Sequence, residues 1–180
     1  GGRRYKTPEI YALIEQQQQI AQEAYAQNRR KVSQIAFIYD EDSYHVISNE
    51  SNHQMVELFN NYEIDKIGLP SDRYYKSDFF DPQMPDYKLY VFMNTLCVSD
   101  EERAAIHRKL VKNHAVALFM YASGIIKMDS SERLSAKHVG EMTGIQMEMI
   151  NEVYRGKFKI NGECHPITQN LDKGEIYGDF

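Results

Sequence analysis

Tryptophan is absent from this chain, cysteine occurs only twice and proline only five times in 180 residues. Without tryptophan, thirteen tyrosines make an unusual set for stacking on sugars, so the chain by itself is not expected to bind carbohydrate. Cys97 and Cys164 stand in no CxxC or CxxH spacing, which argues against a zinc site. Cys97 follows an apolar run and reads as a small buried residue. The six histidines form no HxH or HxxxH pair, so no metal is expected. No stretch approaches the roughly 18 consecutive apolar residues of a membrane helix. Basic charge is short as well: 21 Lys and Arg against 26 Asp and Glu give a net charge of −5. Nucleic acid calls for a basic face, so neither it nor a membrane is an expected partner. The chain opens Gly1-Gly2-Arg3-Arg4 with no apolar leader. Residues 1–4 read as a cloning remnant and linker, and both ends as cuts from a longer protein.

What remains is an ordinary globular composition, 42% apolar and 26% charged, in a chain long enough to build a core without staples. Thr7-Pro8 opens a helix, with Thr7 as N-cap and Pro8 at the first position. Ile10, Leu13, Ile14, Ala21, Ala24 and Tyr25 then recur at helical spacing, and Gln16–Gln19 lies within that period. The helix is expected to end in Arg29-Arg30-Lys31, where base suits the dipole. Ser33–Tyr39 is a short β-forming apolar run before Asp40-Glu41-Asp42, the pattern of a strand buried on both faces. A helix is expected over Asn52–Tyr62, a second strand over Ile64–Leu69 and a loop over Tyr74–Pro85. Tyr87–Met93 and Ala115–Tyr121 read as the third and fourth strands. Between them Ser99 and Glu102 form a capping box opening a helix to Asn113. A last helix is expected near Ser131–Met142 with Gly144 as its C-cap. Phe158–Ile160 and His165–Thr168 are weaker β signals.

Strand and helix alternating at this spacing require crossovers, hence a doubly wound parallel sheet in three layers, flavodoxin-like or amidotransferase-like. The expected organisation is one domain over 5–150, with 151–180 as its last strands or the start of a β domain. In such sheets ligands bind beyond the carboxyl ends of the strands. Those ends supply Asp40, Asp42 and Ser43, then Asn94, then Ser123. Asp40-x-Asp42 fits the opening of a phosphatase of the haloacid dehalogenase type. That chemistry also needs a later acidic magnesium ligand and a lysine, and Asn94 stands where an acid is needed. Cys97 lacks the glycines of a nucleophile elbow, and Ser123 sits in Tyr-Ala-Ser-Gly. Acid after strand one would repel a flavin phosphate, so no cofactor is expected. A small phosphatase-like or amidotransferase-like enzyme using Asp40 and Asp42 is the competing reading, and a stand-alone ligand-binding module a third. Tyr74, Tyr75, Phe79 and Phe80 are candidate interface anchors. Their competing and preferred reading is a satellite core folded over the sheet edge.

Ile35-Ala-Phe-Ile-Tyr-Asp-Glu-Asp-Ser43 resembles the first strand and turn of the β-galactosidase trimerisation domain of glycoside hydrolase family 42 and related enzymes. Asp81-Pro82, Pro85-Asp-Tyr-Lys-Leu-Tyr-Val-Phe-Met-Asn94, Ser99-Asp-Glu-Glu-Arg-Ala-Ala105, Phe119-Met-Tyr-Ala-Ser-Gly-Ile125 and Glu141-Met-Thr-Gly-Ile145 follow in the family's order. The resemblance runs from about Tyr5 to Ile150 and more loosely to His165-Pro-Ile-Thr168. It implies a middle domain, amidotransferase-like in fold but without the nucleophile, that assembles trimers next to a (β/α)8 catalytic barrel of the same chain. Family enzymes cleave β-galactosides or related glycosides with two glutamates of that barrel. No glutamate of the present sequence inherits the role, and the expected partners are the parent's barrel and further copies.

Overall fold

The computed structural model describes residues 7–27, 32–48, 50, 56, 62–150, 157–160 and 165–178. Pro8 starts helix α1, Pro8–Ala26, at the position where its missing N–H costs nothing, although Thr7 makes no side-chain cap. The expected basic end, the body of the Asn52–Tyr62 helix and Cys164 lie outside the described residues. Four short strands follow: β1 Ile35–Tyr39, β2 Ser71–Tyr75, β3 Leu89–Phe92 and β4 Val116–Phe119. They form one parallel sheet in the order β2-β1-β3-β4. Parallel neighbours need crossovers: the one-turn helix α2 (Lys76–Phe79) lies between β2 and β3 and α3 (Asp100–Lys112) between β3 and β4, while α4 (Ala136–Thr143) follows β4. The chain is an α/β protein with the flavodoxin-like three-layer arrangement.

Side chains alternate along each strand, dividing the core in two. On one face Ala36, Ile38, Tyr90 and Phe92 pack with Phe79, Ile106 of α3 and Met142 of α4. On the other, Phe37, Tyr39, Val91 and Met93 pack with Val56 and Ile64. Phe79 sets its ring edge-on to Tyr90 at 5.3 Å and Phe92 at 5.5 Å, a geometry favoured by the ring quadrupoles. Burying one such side chain contributes about 1.5–3 kcal/mol.

Two expectations need correction. Ile64–Ile67 is a 3-10 turn closed by Gly68 at φ 68°, and the second strand comes after Pro70. Of this stretch only Ile64 packs on the sheet face, while Ile67 and Leu69 are exposed, so its apolar residues belong to a turn rather than to a buried strand. The expected loop over Tyr74–Pro85 in fact begins as strand and helix: Tyr74 and Tyr75 end β2, and Phe79 closes α2. The capping box of α3 is present, with Glu102 N donating to Ser99 Oγ at 3.1 Å and Ser99 N to Glu102 Oε2 at 2.8 Å. Gly144 caps α4 at φ 77°, a conformation that is strained for residues with a Cβ. Lys157–Lys159 (β5) and Ile176–Gly178 (β6) pair as an antiparallel ladder, and His165–Thr168 is turn.

Candidate functional site

β1 and β3 lie side by side where the strand order reverses, the usual ligand crevice of such sheets. β1 hands on to Asp40, whose N–H donates to Asn94 Oδ1 at 2.8 Å, while Asn94 Nδ2 donates to the Asp40 carbonyl at 3.1 Å. The amide side chain thus extends the ladder one step past the strands. Both oxygens of the buried Asp40 carboxylate are occupied. Oδ1 accepts from Asp42 N at 3.2 Å and lies 3.0 Å from Lys76 Nζ. Oδ2 accepts from Ser43 Oγ at 2.5 Å and Cys97 N at 3.3 Å. Four donors fill the acceptor sites a carboxylate offers. Ser43 Oγ also accepts from Leu96 N at 3.0 Å and Cys97 N at 3.2 Å. One strand further, Thr95 Oγ1 donates to Ser123 Oγ at 3.1 Å, and Ser123 Oγ to the Met120 carbonyl at 3.2 Å.

The structure therefore brings Asp40, Ser43 and Asn94 into one knot and sets Ser123 in the next, all fully buried. Asp42 projects outward, its side chain exposed. The residue that sequence reasoning missed is Lys76. Its buried ammonium sits among Asp40 Oδ1 at 3.0 Å, Asp42 Oδ2 at 3.1 Å, Glu102 Oε1 at 3.2 Å and the Cys97 carbonyl at 2.8 Å. A one-turn helix places it: Lys76 and Phe79, three apart, share the buried side of α2. That spacing was the only available signal.

Burial alone would push the Lys76 ammonium down. Asp40 first, then Glu102 and Asp42, more than offset this and hold it above its ordinary value. Burial pushes the Asp40 carboxyl up, and its donors offset only part of the push. Burial, reinforced by Asp40, also pushes the Cys97 thiol up. Above the knot opens a cavity of about 440 Å³, lined by Asp42, His45, Lys76, Cys97, Glu102 and Asp129 among others. Lys76 is the lysine a phosphatase of the Asp-x-Asp type would need. Asp40, the nucleophile of that chemistry, is however buried with both of its carboxylate oxygens bonded within the protein. Among the described residues no group of three or more His, Cys, Asp or Glu can hold a metal ion.

The interface candidates separate. Phe79 lies in the main core and Phe80 and Tyr74 pack against it, whereas Tyr75 at the end of the edge strand is exposed. Tyr87 Oη stands 2.7 Å from Tyr74 Oη and 2.6 Å from Asp72 Oδ2. Tyr39, Tyr44, Arg73, Tyr74, Tyr75 and Asp78 border a second cavity of about 360 Å³ beside β2.

No protein-family model and no curated protein matches the chain. Among solved structures it is similar to a β-galactosidase from Bifidobacterium adolescentis, 17% identical with a TM-score of 0.49. The likeness covers 71% of this chain and 60% of that one, so the chain spans less than two thirds of that protein's length.

Proposed function

We propose that this chain is a non-catalytic assembly domain, of the trimerisation type, from a β-galactosidase-like glycoside hydrolase. The observation that carries the reading is the closed hydrogen-bond knot at the strand ends. At the position where this fold exposes reactive groups, Asp40, Ser43 and Asn94 are buried and bonded to one another and to the loop after β3. The Asp40 carboxylate is engaged by four donors, and burial pushes the neighbouring Cys97 thiol up, away from its reactive thiolate form. The family-like segments support the same reading. They fall on β1 and its turn, β3, the start of α3, the end of β4 and the end of α4. Hydrolysis in the parent would belong to paired glutamates of its barrel, with this domain contributing contacts between copies.

The test is direct. The purified chain is assayed on p-nitrophenyl phosphate and p-nitrophenyl β-galactoside, and its mass in solution is measured. The expected results are no turnover and a species near three times 21.0 kDa. Turnover that disappears in Asp42→Asn would overturn the reading in favour of a small phosphatase-like enzyme.

A further inference from the structure

Lys109, in the last turn of α3, is a half-buried cation that no carboxylate answers. Its ammonium donates to the Phe79 carbonyl at 2.7 Å and to Met84 Sδ at 3.3 Å, and it lies 4.5 Å from the centroid of the Phe79 ring. All three contacts are neutral, so the charge has no counter-charge among the described residues. The other buried or half-buried Lys and Arg among those residues are Lys76, Arg103 and Lys127, and each pairs with carboxylates. Burial pushes the Lys109 ammonium down; Asp86 and Asp81, beyond ion-pair distance, offset only part of the push, and Lys112 adds to it.

Two further bases of α3, Arg108 and Lys112, are exposed and make no ion pair with a described residue. With Lys109 they border a cavity of about 330 Å³ whose lining also includes Phe80, Pro82 and Met84 of the loop after α2. That volume is within the range of small-ligand sites. The cavity lies at the amino ends of β3 and β4, away from the strand-end knot, since Asp86 and Asn113 of its lining stand just before those strands. The end of α3 accounts for part of this basic charge, because cations suit the negative end of a helix dipole. It does not account for Lys109, whose ammonium turns to a carbonyl of α2 instead. Asp81 and Asp86 also line the cavity but are engaged: Asp81 Oδ1 accepts from Gln83 N at 2.7 Å and Asp86 Oδ1 from Asn113 Nδ2 at 2.5 Å. Three bases against two acids leave the lining one positive charge.

We infer that this cavity binds a small organic carboxylate, its charged end against Lys109, Arg108 and Lys112 and its apolar body on Phe80, Pro82 and Met84. One negative charge balances the lining, whereas a dianionic phosphate ester would overcharge it. The apolar wall favours an acid with a flat hydrocarbon body over a bare inorganic anion. A carboxylate here supplies the counter-charge that Lys109 lacks, through charge-assisted hydrogen bonds that partial burial strengthens. Such a site is independent of the assembly reading.

NMR titration of the 180-residue chain with sodium benzoate at fixed ionic strength tests it, with acetate, benzylamine and phenyl phosphate as further probes. Benzoate is expected to bind saturably and to shift amides within residues 79–86 and 105–113. Acetate, which lacks the apolar body, should bind about tenfold more weakly or worse. Phenyl phosphate should also be weaker, and benzylamine should not bind. Lys109→Gln should weaken benzoate about tenfold, the fold-change of one lost charged hydrogen bond. Arg108→Glu/Lys112→Glu alters only exposed side chains, so its circular dichroism should be unchanged, and it should abolish binding. That variant decides the matter should Lys109→Gln fail to fold. No saturable benzoate shift, shifts confined to other parts of the chain, or binding untouched by the charge reversal would overturn the site. Benzylamine binding as tightly as benzoate would contradict its sign, and phenyl phosphate binding more tightly would sink the assignment to a carboxylate.

Discussion

Asp40 and Lys76 are each enclosed by protein, and neither can be removed without stranding the other. Their burial is costly in itself, as the raised Asp40 carboxyl records, and replacing a whole buried pair by apolar groups is often close to neutral. Breaking it is different, because one charge is then left uncompensated. Lys76→Met is expected to lower the unfolding free energy by about 3–5 kcal/mol. Adding Asp40→Asn to that variant should recover part of the loss, a coupling of about 0.5–3 kcal/mol in a urea-denaturation cycle. Additive losses would mean that the two groups do not act as a pair. Asp40 was visible in the sequence because an acid directly after a buried strand is conspicuous. Lys76 was not, since a lone lysine between Tyr75 and Ser77 has no pattern of its own, and only the turn of α2 sends it inward. The same turn takes Phe79 into the core, although a run of four aromatics around three polar residues also reads as an exposed patch.

At the scale of elements, the apolar strands β1, β3 and β4 were legible and the polar edge strand β2 was not. β1 and β3 are flanked on both sides and read as continuous apolar runs. β2 has one neighbour and carries Asp72 and Arg73, the charges by which edge strands resist mispairing, so its polarity hid it behind Ile64–Ile67. The α3 cap was legible to the residue because a capping box depends on local spacing alone. The clamp between α3 and α4 was not. Lys127 bridges Asp100 at 2.7 Å and Glu141 at 2.8 Å, and Arg103 reaches Glu141 at 2.7 Å and pairs with Asp100 as well. Lys127 first, with Arg103 assisting, holds the Asp100 and Glu141 carboxyls below their ordinary values of 3.8 and 4.5. In the unfolded chain these groups take up protons first as the pH falls. Their contribution is therefore complete above the ordinary values and is lost as the pH drops through them toward the lowered folded-state values. Thermal melts between pH 6 and pH 3 are expected to show a falling midpoint. Glu141→Gln should start lower and fall less steeply, and added salt should shrink the difference because the clamp is partly exposed. Parallel curves for the two proteins would remove the clamp from the account.

For the whole molecule, the sheet order follows from crossover rules, but its coverage does not. Periodicity told that α1 has an apolar side without telling what that side meets, because a period records the apolar side and not the surface that covers it. If the domain assembles copies, as proposed, stability depends on concentration. Association that involves only folded chains adds about 1.4 kcal/mol for each tenfold rise in partner concentration well above the dissociation constant, and one kcal/mol moves the midpoint of a domain this size by about 2–4 °C. The wild-type midpoint is thus expected to climb by about 3–6 °C per tenfold increase in protein, once above that constant. A midpoint that stays constant as the protein is diluted would instead show that contacts between copies contribute nothing to the stability of this chain.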